Sequence, residues 1–225
     1  MNSNSKPSPP IPFDSIIDTI RRTVRPFKDT AVTEVAESTR DPFRVLISCI
    51  ISLRTKDEVT ADASARLFAQ ADTPDKMRRL PAETIEKLIY PAGFYRNKAK
   101  NILQVCNLLV EQHGGRVPDR LEELLALPGV GRKTANLVLS VGFRIPAICV
   151  DTHVHRIANR MGWVQTKTPE QTEMALMEVL PRKHWIEIND LLVSFGQNIC
   201  KPISPFCSRC PVADHCGRVG VERSR

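Results

Sequence analysis

Leu127–Phe143 reads LPGVGRKTANLVLSVGF. Pro128 forbids continuation of the apolar-periodic run RLEELLAL that precedes it, and periodicity resumes near Arg132. Two helices must therefore meet across a connection of a few residues. Gly129 and Gly131 bracket Val130 and permit backbone geometry closed to other residues, leaving Val130 as a peg that packs between the helices. With no side chain in the way, the two glycine amides can approach an anion closely. They also lie at a helix N-terminus, where free N–H groups and the dipole favour negative charge. Gly129, Val130, Gly131 and Arg132 are thus candidates for gripping phosphates, a contact that carries no base information. The same residues also suit an ordinary helix–loop–helix corner, and taken alone the stretch leaves both readings open.

Two residues beyond the hairpin stands Lys133, and eighteen further on Asp151 opens VDTHVHRIANRMGW. The first turn of a helix is an electrostatically costly place for a cation. Lys133 is therefore expected to serve either as a phosphate contact beside Arg132 or as an amine nucleophile. Asp151 precedes an apolar-periodic run and is well placed as its N-cap, a role compatible with a catalytic carboxylate. His153 and His155 cannot share a helical face, and no third ligand motif lies nearby, so metal binding by this pair is not expected.

Towards the C-terminus, Cys200, Cys207, Cys210 and Cys216 crowd into CKPISPFCSRCPVADHC, with gaps of six, two and five residues. Four thiols this close point to a metal centre, and Pro202 and Pro205 favour a loop between the first two. Thiolate coordination suits zinc or an iron–sulfur cluster. A single Cys-x-x-Cys knuckle favours iron–sulfur over a zinc ribbon, which shows two. Disulfides would need an oxidising compartment. The N-terminus MNSNSKPSPPIPF has no hydrophobic signal core, so an intracellular protein is expected, in the cytoplasm or nucleoid of a bacterial or archaeal source. Cys49, Cys106 and Cys149 sit singly among apolar residues and read as core.

The chain carries 32 Lys and Arg against 25 Asp and Glu, a formal charge of +7, which raises the expectation of a polyanionic partner without fixing it. The longest apolar run, Val45 to Leu53, is broken by Ser48 and Ser52 and flanked by arginines, so it reads as a buried helix rather than a membrane span. Helical periodicity predicts segments 14–24, 41–54, 56–70, 82–90, 95–113, 119–127, 131–142, 152–161, 169–180 and 184–199. Thr55 with Glu58 and Thr168 with Gln171 suggest capping boxes. Thr73–Pro74 and Pro118–Asp119 suggest two further helix starts. No stretch alternates as a strand would. The fold class is all-α, and the absence of a coiled-coil seam makes a monomer the default.

The hairpin motif, the VDTHVHRIANRMGW segment and the four-cysteine loop, in this order and spacing, resemble the endonuclease III family of helix-hairpin-helix DNA glycosylases. The resemblance runs from about Asp41 to Cys216. It implies two helical domains with a DNA-binding cleft between them. Residues 35–145 would form a helical barrel carrying the hairpin at about 119–143, and residues 1–34 with 146–225 a cluster domain. One 4Fe–4S cluster would be held by Cys200, Cys207, Cys210 and Cys216. Double-stranded DNA containing damaged bases or abasic sites would be the partner.

In such an enzyme the Lys133 amine attacks C1′ of an extruded nucleotide and displaces an oxidised pyrimidine. Asp151 handles protons and stabilises developing positive charge, and β-elimination from the Schiff base then cuts 3′ to the site. Arg54, in SLRTKDEVT, stands where the family commonly has a glutamine that fills the vacated space, so opposite-base preference is open. Phe94, in GFYRNK, stands in the wedge position. His153, Arg156, Lys201 and Arg209 are further candidate DNA contacts. A mismatch-directed thymine or adenine glycosylase of the same superfamily, or a non-catalytic iron–sulfur DNA-binding or redox-sensing protein, are the alternatives. The adenine branch generally lacks the lysine and has a further C-terminal domain.

Overall fold

Residues 11–27 and 30–225 are described by a computed structural model, and every regular element among them is helical. The proline-rich residues 1–10 lie outside the described residues. The α-helices are α1 (Phe13–Val24), α2 (Ala31–Thr39), α3 (Pro42–Ser52), α4 (Asp57–Gln70), α5 (Pro74–Arg78), α6 (Ala82–Ile89), α7 (Tyr95–His113), α8 (Leu121–Leu125), α9 (Arg132–Leu137), α10 (Thr152–Met161), α11 (Pro169–Val179) and α12 (Ile188–Asn198). Among the described residues no helix is long and apolar enough to cross a membrane.

Local chemistry sets most of these boundaries. Asp41, Thr73 and Thr168 each accept a backbone N–H of the helix they cap, and each is followed by a proline at the first helical position. The reciprocal arm expected of Gln171 goes instead to the Lys167 N–H, at 2.9 Å. Thr55 is not a cap. Helix α4 starts after Lys56 without a side-chain cap, and the Thr55 hydroxyl is committed elsewhere, as described below. Asp119 is not a cap either, because α8 begins only at Leu121.

The expected 131–142 helix is two pieces. Helix α9 widens into a π-helical turn at Val138–Gly142, with the Phe143 N–H reaching back to the Val138 carbonyl. The expected 184–199 helix is likewise split, into a 3₁₀ turn at Arg182–His184 and α12. Helix α2, AVTEVAEST, was not expected at all. Its β-branched residues blur helical periodicity, and its Thr30 cap, bonded to Thr33 N–H at 3.3 Å, was the signal available.

Among the described residues two hydrophobic cores form. The first draws on residues from Val32 to Leu139 and is centred on α3, where Val45, Leu46, Ile47, Ile50 and Ile51 are all fully buried. This burial on every face explains the unbroken apolar run. The second joins Phe13, Ile16, Ile17 and Ile20 of α1 to Ile157, Leu176, Leu192, Phe195 and Val212, so the N-terminal helix packs with the C-terminal third of the chain. Polar bonds tie the two together: Asn136 Nδ2 donates to Ile148 O at 3.0 Å and Thr33 Oγ1 to Asp190 Oδ1 at 2.9 Å.

Candidate active site and nucleic-acid interface

The hairpin between α8 and α9 uses its glycines differently. Gly129 has φ +77°, and a Cβ there would lie 2.5 Å from Asn101 Nδ2, so both its conformation and its neighbour exclude a side chain. Val130 is 7% exposed and belongs to the first core, which makes it the expected peg. Gly131 has an extended φ of −91°, open to any residue, and a Cβ there would meet nothing within 4 Å. Nothing in the protein demands glycine at 131, and the bare position faces open space.

Lys133 stands in the first turn of α9 and is exposed. Its amine has no hydrogen-bond or ion-pair partner among the described residues. Asp151 caps α10, with Oδ1 accepting from the His153 N–H at 2.8 Å and the Val154 N–H at 2.9 Å. Oδ2 makes no hydrogen bond among the described residues. Both side chains line one cleft of about 280 Å³, together with Arg132, Val150, Thr152, Pro169, Glu170 and Glu173. The two residues singled out on the sequence for chemistry are thus brought together from α9 and α10.

Around them the polar groups are fixed. Arg132 makes a two-pronged ion pair with Glu173, at 2.8 and 2.9 Å, and the Glu173 side chain is only 6% exposed. Such a fork is geometrically stiff and binds the hairpin helix to α11. The Arg132 guanidinium expected to reach phosphate is therefore held in an ion pair at the wall of the cleft. Arg156 is turned inward, donating to Cys200 O at 3.0 Å and to His153 Nδ1 at 3.2 Å. A guanidinium only donates, so Nδ1 accepts and the His153 ring proton sits on Nε2. Burial also holds His153 below its ordinary pKa, towards the neutral form. Burial pushes the Cys49 thiol up to about 12 and the Cys149 thiol up as well, so the thiols near Lys133 stay neutral. Cys49, Cys106 and Cys149 are core, as expected.

Arg54 and Phe94 meet. The Arg54 guanidinium lies 5.5 Å from the Phe94 ring centroid, a cation–π contact. Phe94 is 61% exposed, so it is not a core aromatic. Both residues have left-handed backbone, φ 54° and 56°, which costs a non-glycine residue about 1–2 kcal/mol each. Strain of that kind persists where the surroundings over-determine it. Here the surroundings include Lys98, which sequence reasoning missed. Its side chain is buried, its ammonium donates to three oxygens, and burial lowers its pKa to about 8.

The four cysteines Cys200, Cys207, Cys210 and Cys216 line one small apolar cavity, with Ile157, Phe195 and Val212 among its walls. Among the described residues no three His, Cys, Asp or Glu side chains are grouped as a single metal ion would need. Arg160 of α10 reaches the same loop, donating to Lys201 O at 2.7 Å, Pro202 O at 2.6 Å and Cys200 Sγ at 3.6 Å. Helix α10 therefore begins at Asp151 and ends fastened to the cysteine loop. Lys201 and Arg209 gather over the Phe206 ring, at 5.5 and 3.9 Å, with Arg225, which sequence reasoning missed, at 4.1 Å.

A helix hairpin, an unpartnered lysine and a capping aspartate on one cleft define a class of base-excision protein. The family model described as "HhH-GPD superfamily base excision DNA repair protein" matches residues 47–182. Endonuclease III of Thermotoga maritima is 56% identical over 78% of this chain and 83% of its own length. Endonuclease III-like protein 1 of Bos taurus is 46% identical over 84% of this chain and 66% of its own. A trapped endonuclease III–DNA covalent intermediate, an estranged-adenine complex, superposes with a TM-score of 0.79 at 36% identity, covering 90% of this chain and 93% of that one. The chain belongs to the endonuclease III family of the HhH-GPD superfamily.

Proposed function

We infer that this protein is a bifunctional DNA glycosylase and AP lyase of base excision repair, which removes oxidised pyrimidines from duplex DNA and cleaves the strand 3′ to the site. The observation that carries this reading is the pairing of Lys133 and Asp151 on one cleft between α9 and α10. A base inside a duplex hides its glycosidic carbon, so the nucleotide must be extruded first. Lys133 then attacks C1′, the base departs, and opening of the sugar ring at C1′–O4′ turns the new carbon–nitrogen bond into an imine. A primary amine is required for that step. Asp151, fixed by its two backbone bonds, offers a negative charge where positive charge grows on the sugar. Loss of the C2′ proton from the imine expels the 3′ phosphate.

The two cores support a division into a barrel domain and a cluster domain. Val32 and Ala36 of α2 belong to the first core, which favours a first boundary near residue 30, ahead of α2, over one at 34/35. Arg54 and Phe94 are the insertion residues, and Lys201 and Arg209 contact the phosphate backbone. Arg132 and Arg156 hold the frame instead. Cys200, Cys207, Cys210 and Cys216 would hold one 4Fe–4S cluster. They line one apolar cavity, and their single Cys-x-x-Cys spacing favours a cluster over a zinc ribbon. The cluster would act as a covalent clasp that fixes the loop bearing Lys201. An intracellular location suits this chemistry and its reduced thiols.

Incubation with duplexes carrying thymine glycol, dihydrouracil, an abasic site or a G·T mispair tests the function. Cleavage at the oxidised pyrimidines and the abasic site is expected, with about four irons per chain in natively purified, brown protein. Cleavage of the mispair alone would move the assignment to a mismatch enzyme, and no cleavage would move it to a binding protein. For the hairpin, Gly131→Leu is expected to fold normally, since its side chain would enter open space. It should weaken duplex affinity about tenfold by holding the phosphate off the backbone amides. Wild-type affinity in a fluorescence-anisotropy titration would remove Gly131 from the interface.

A further inference from the structure

Lys98 lies in the first turn of α7, and its side chain is directed away from that helix to the end of α3. Its ammonium donates to Ile51 O and Leu53 O, both at 2.6 Å, and to Thr55 Oγ1 at 2.7 Å. Three donors meet three acceptors, so the group is fully satisfied. A cation is also favoured at the C-terminal end of a helix, where α3 leaves its last carbonyls free. Thr55 Oγ1 in turn accepts from the Gly93 N–H at 3.1 Å and donates to Leu53 O at 3.3 Å. Gly93 lies so close to the other loop that a Cβ on it would stand 2.5 Å from Arg54 O.

The loop that bears Arg54 and the loop that bears Phe94 are therefore joined at one half-buried junction around the buried Lys98. The junction runs from Lys98 through Thr55 to Gly93, immediately beneath the stacked Arg54–Phe94 pair. These two side chains come from segments some forty residues apart in the chain. Without the junction, each would depend on its own strained backbone to hold it in place.

We propose that Lys98 is a positioning residue for nucleotide extrusion: it locks the Arg54 and Phe94 loops into one rigid wedge. The proposal rests on the reading of Arg54 and Phe94 as insertion residues. It makes Lys98 indispensable to opening a duplex and of little consequence once the sugar is already accessible. Misplacing reacting groups by about an ångström costs on the order of 100-fold in rate, and loosening the wedge acts on that scale.

The test uses the full-length protein and its Lys98→Met variant, with Phe94→Ala alongside. One readout is the ratio of incision rates at an abasic site in a duplex and in a single strand. That ratio does not depend on how much of a variant is folded. The second is the fluorescence of 2-aminopurine placed opposite a tetrahydrofuran abasic analogue, which rises when the opposing base is unstacked. Lys98→Met is expected to lower the rate ratio about 10- to 100-fold and to hold the fluorescence near that of free duplex. Thr55→Val, which removes the shared hydroxyl without touching a charge, should shift both readouts in the same direction by less.

If Phe94→Ala suppresses the fluorescence rise while Lys98→Met and Thr55→Val leave both readouts as in wild type, the coupling is refuted and the wedge reading stands. If Phe94→Ala itself leaves them unchanged, the wedge reading fails and takes the proposal with it.

Discussion

Lys133→Gln is expected to abolish strand incision and to prevent borohydride from trapping the protein on DNA. Glutamine is polar, uncharged and only one bond shorter than lysine, but an amide nitrogen cannot form an imine. The loss should be at least about 10³-fold, since removing an activated nucleophile leaves only the contribution of binding. Stability should not change, because Lys133 is exposed and its amine has no partner to lose. Lys98 sharpens this expectation. Its pKa, lowered to about 8 by burial, would by itself suit a nucleophile. Its three donors are taken by Ile51, Leu53 and Thr55, however, and it does not line the Lys133–Asp151 cleft. On the proposed mechanism accessibility, not basicity, picks the reactive amine. Trapping of Lys133→Gln at the wild-type level, measured as a protein–DNA adduct on a denaturing gel, would place the Schiff base on another residue.

The sequence is legible here where one residue carries a signal that no neighbour can override. Pro128 and Gly129 fix the hairpin, Asp151 announces its helix, and four spaced cysteines announce their cavity. Legibility fails where a residue's partner lies far along the chain. Arg132 and Arg156 read as phosphate contacts because nothing nearby shows that Glu173 and the carbonyl of Cys200 claim them. Thr55 reads as a cap because its true partners, Lys98 and Gly93, are about forty residues away.

Lys98 itself left a trace. It shares a helical face with Ile102, Val105 and Leu109, all fully buried, and a lysine on an apolar stripe demands buried oxygens from somewhere. Asn136, in the apolar run TANLVL, is the same kind of signal, resolved by the carbonyl of Ile148. The π turn at Val138–Gly142 left none, because its apolar residues suit either winding.

The same logic separates the two duties of Asp151. Its Oδ1 caps α10, and its charge lines the cleft it shares with Lys133, so substitutions should divide the proposed roles. Asparagine caps a helix as well as aspartate does, and Asp151→Asn should therefore shift the unfolding free energy by less than about 1 kcal/mol. It removes the negative charge, and base release from an oxidised pyrimidine should fall about 10²- to 10⁴-fold. Asp151→Ala should lose the same activity and, in addition, about 1 kcal/mol of stability with the cap. On a preformed abasic site no base has to leave, so borohydride trapping of both variants should persist, more slowly than in wild type. Base release, trapping and thermal unfolding measured side by side test the division. If Asp151→Asn releases base within threefold of wild type, the carboxylate is only a cap, and the charge that assists departure of the base must come from Glu170 across the cleft, since Glu173 is paired with Arg132.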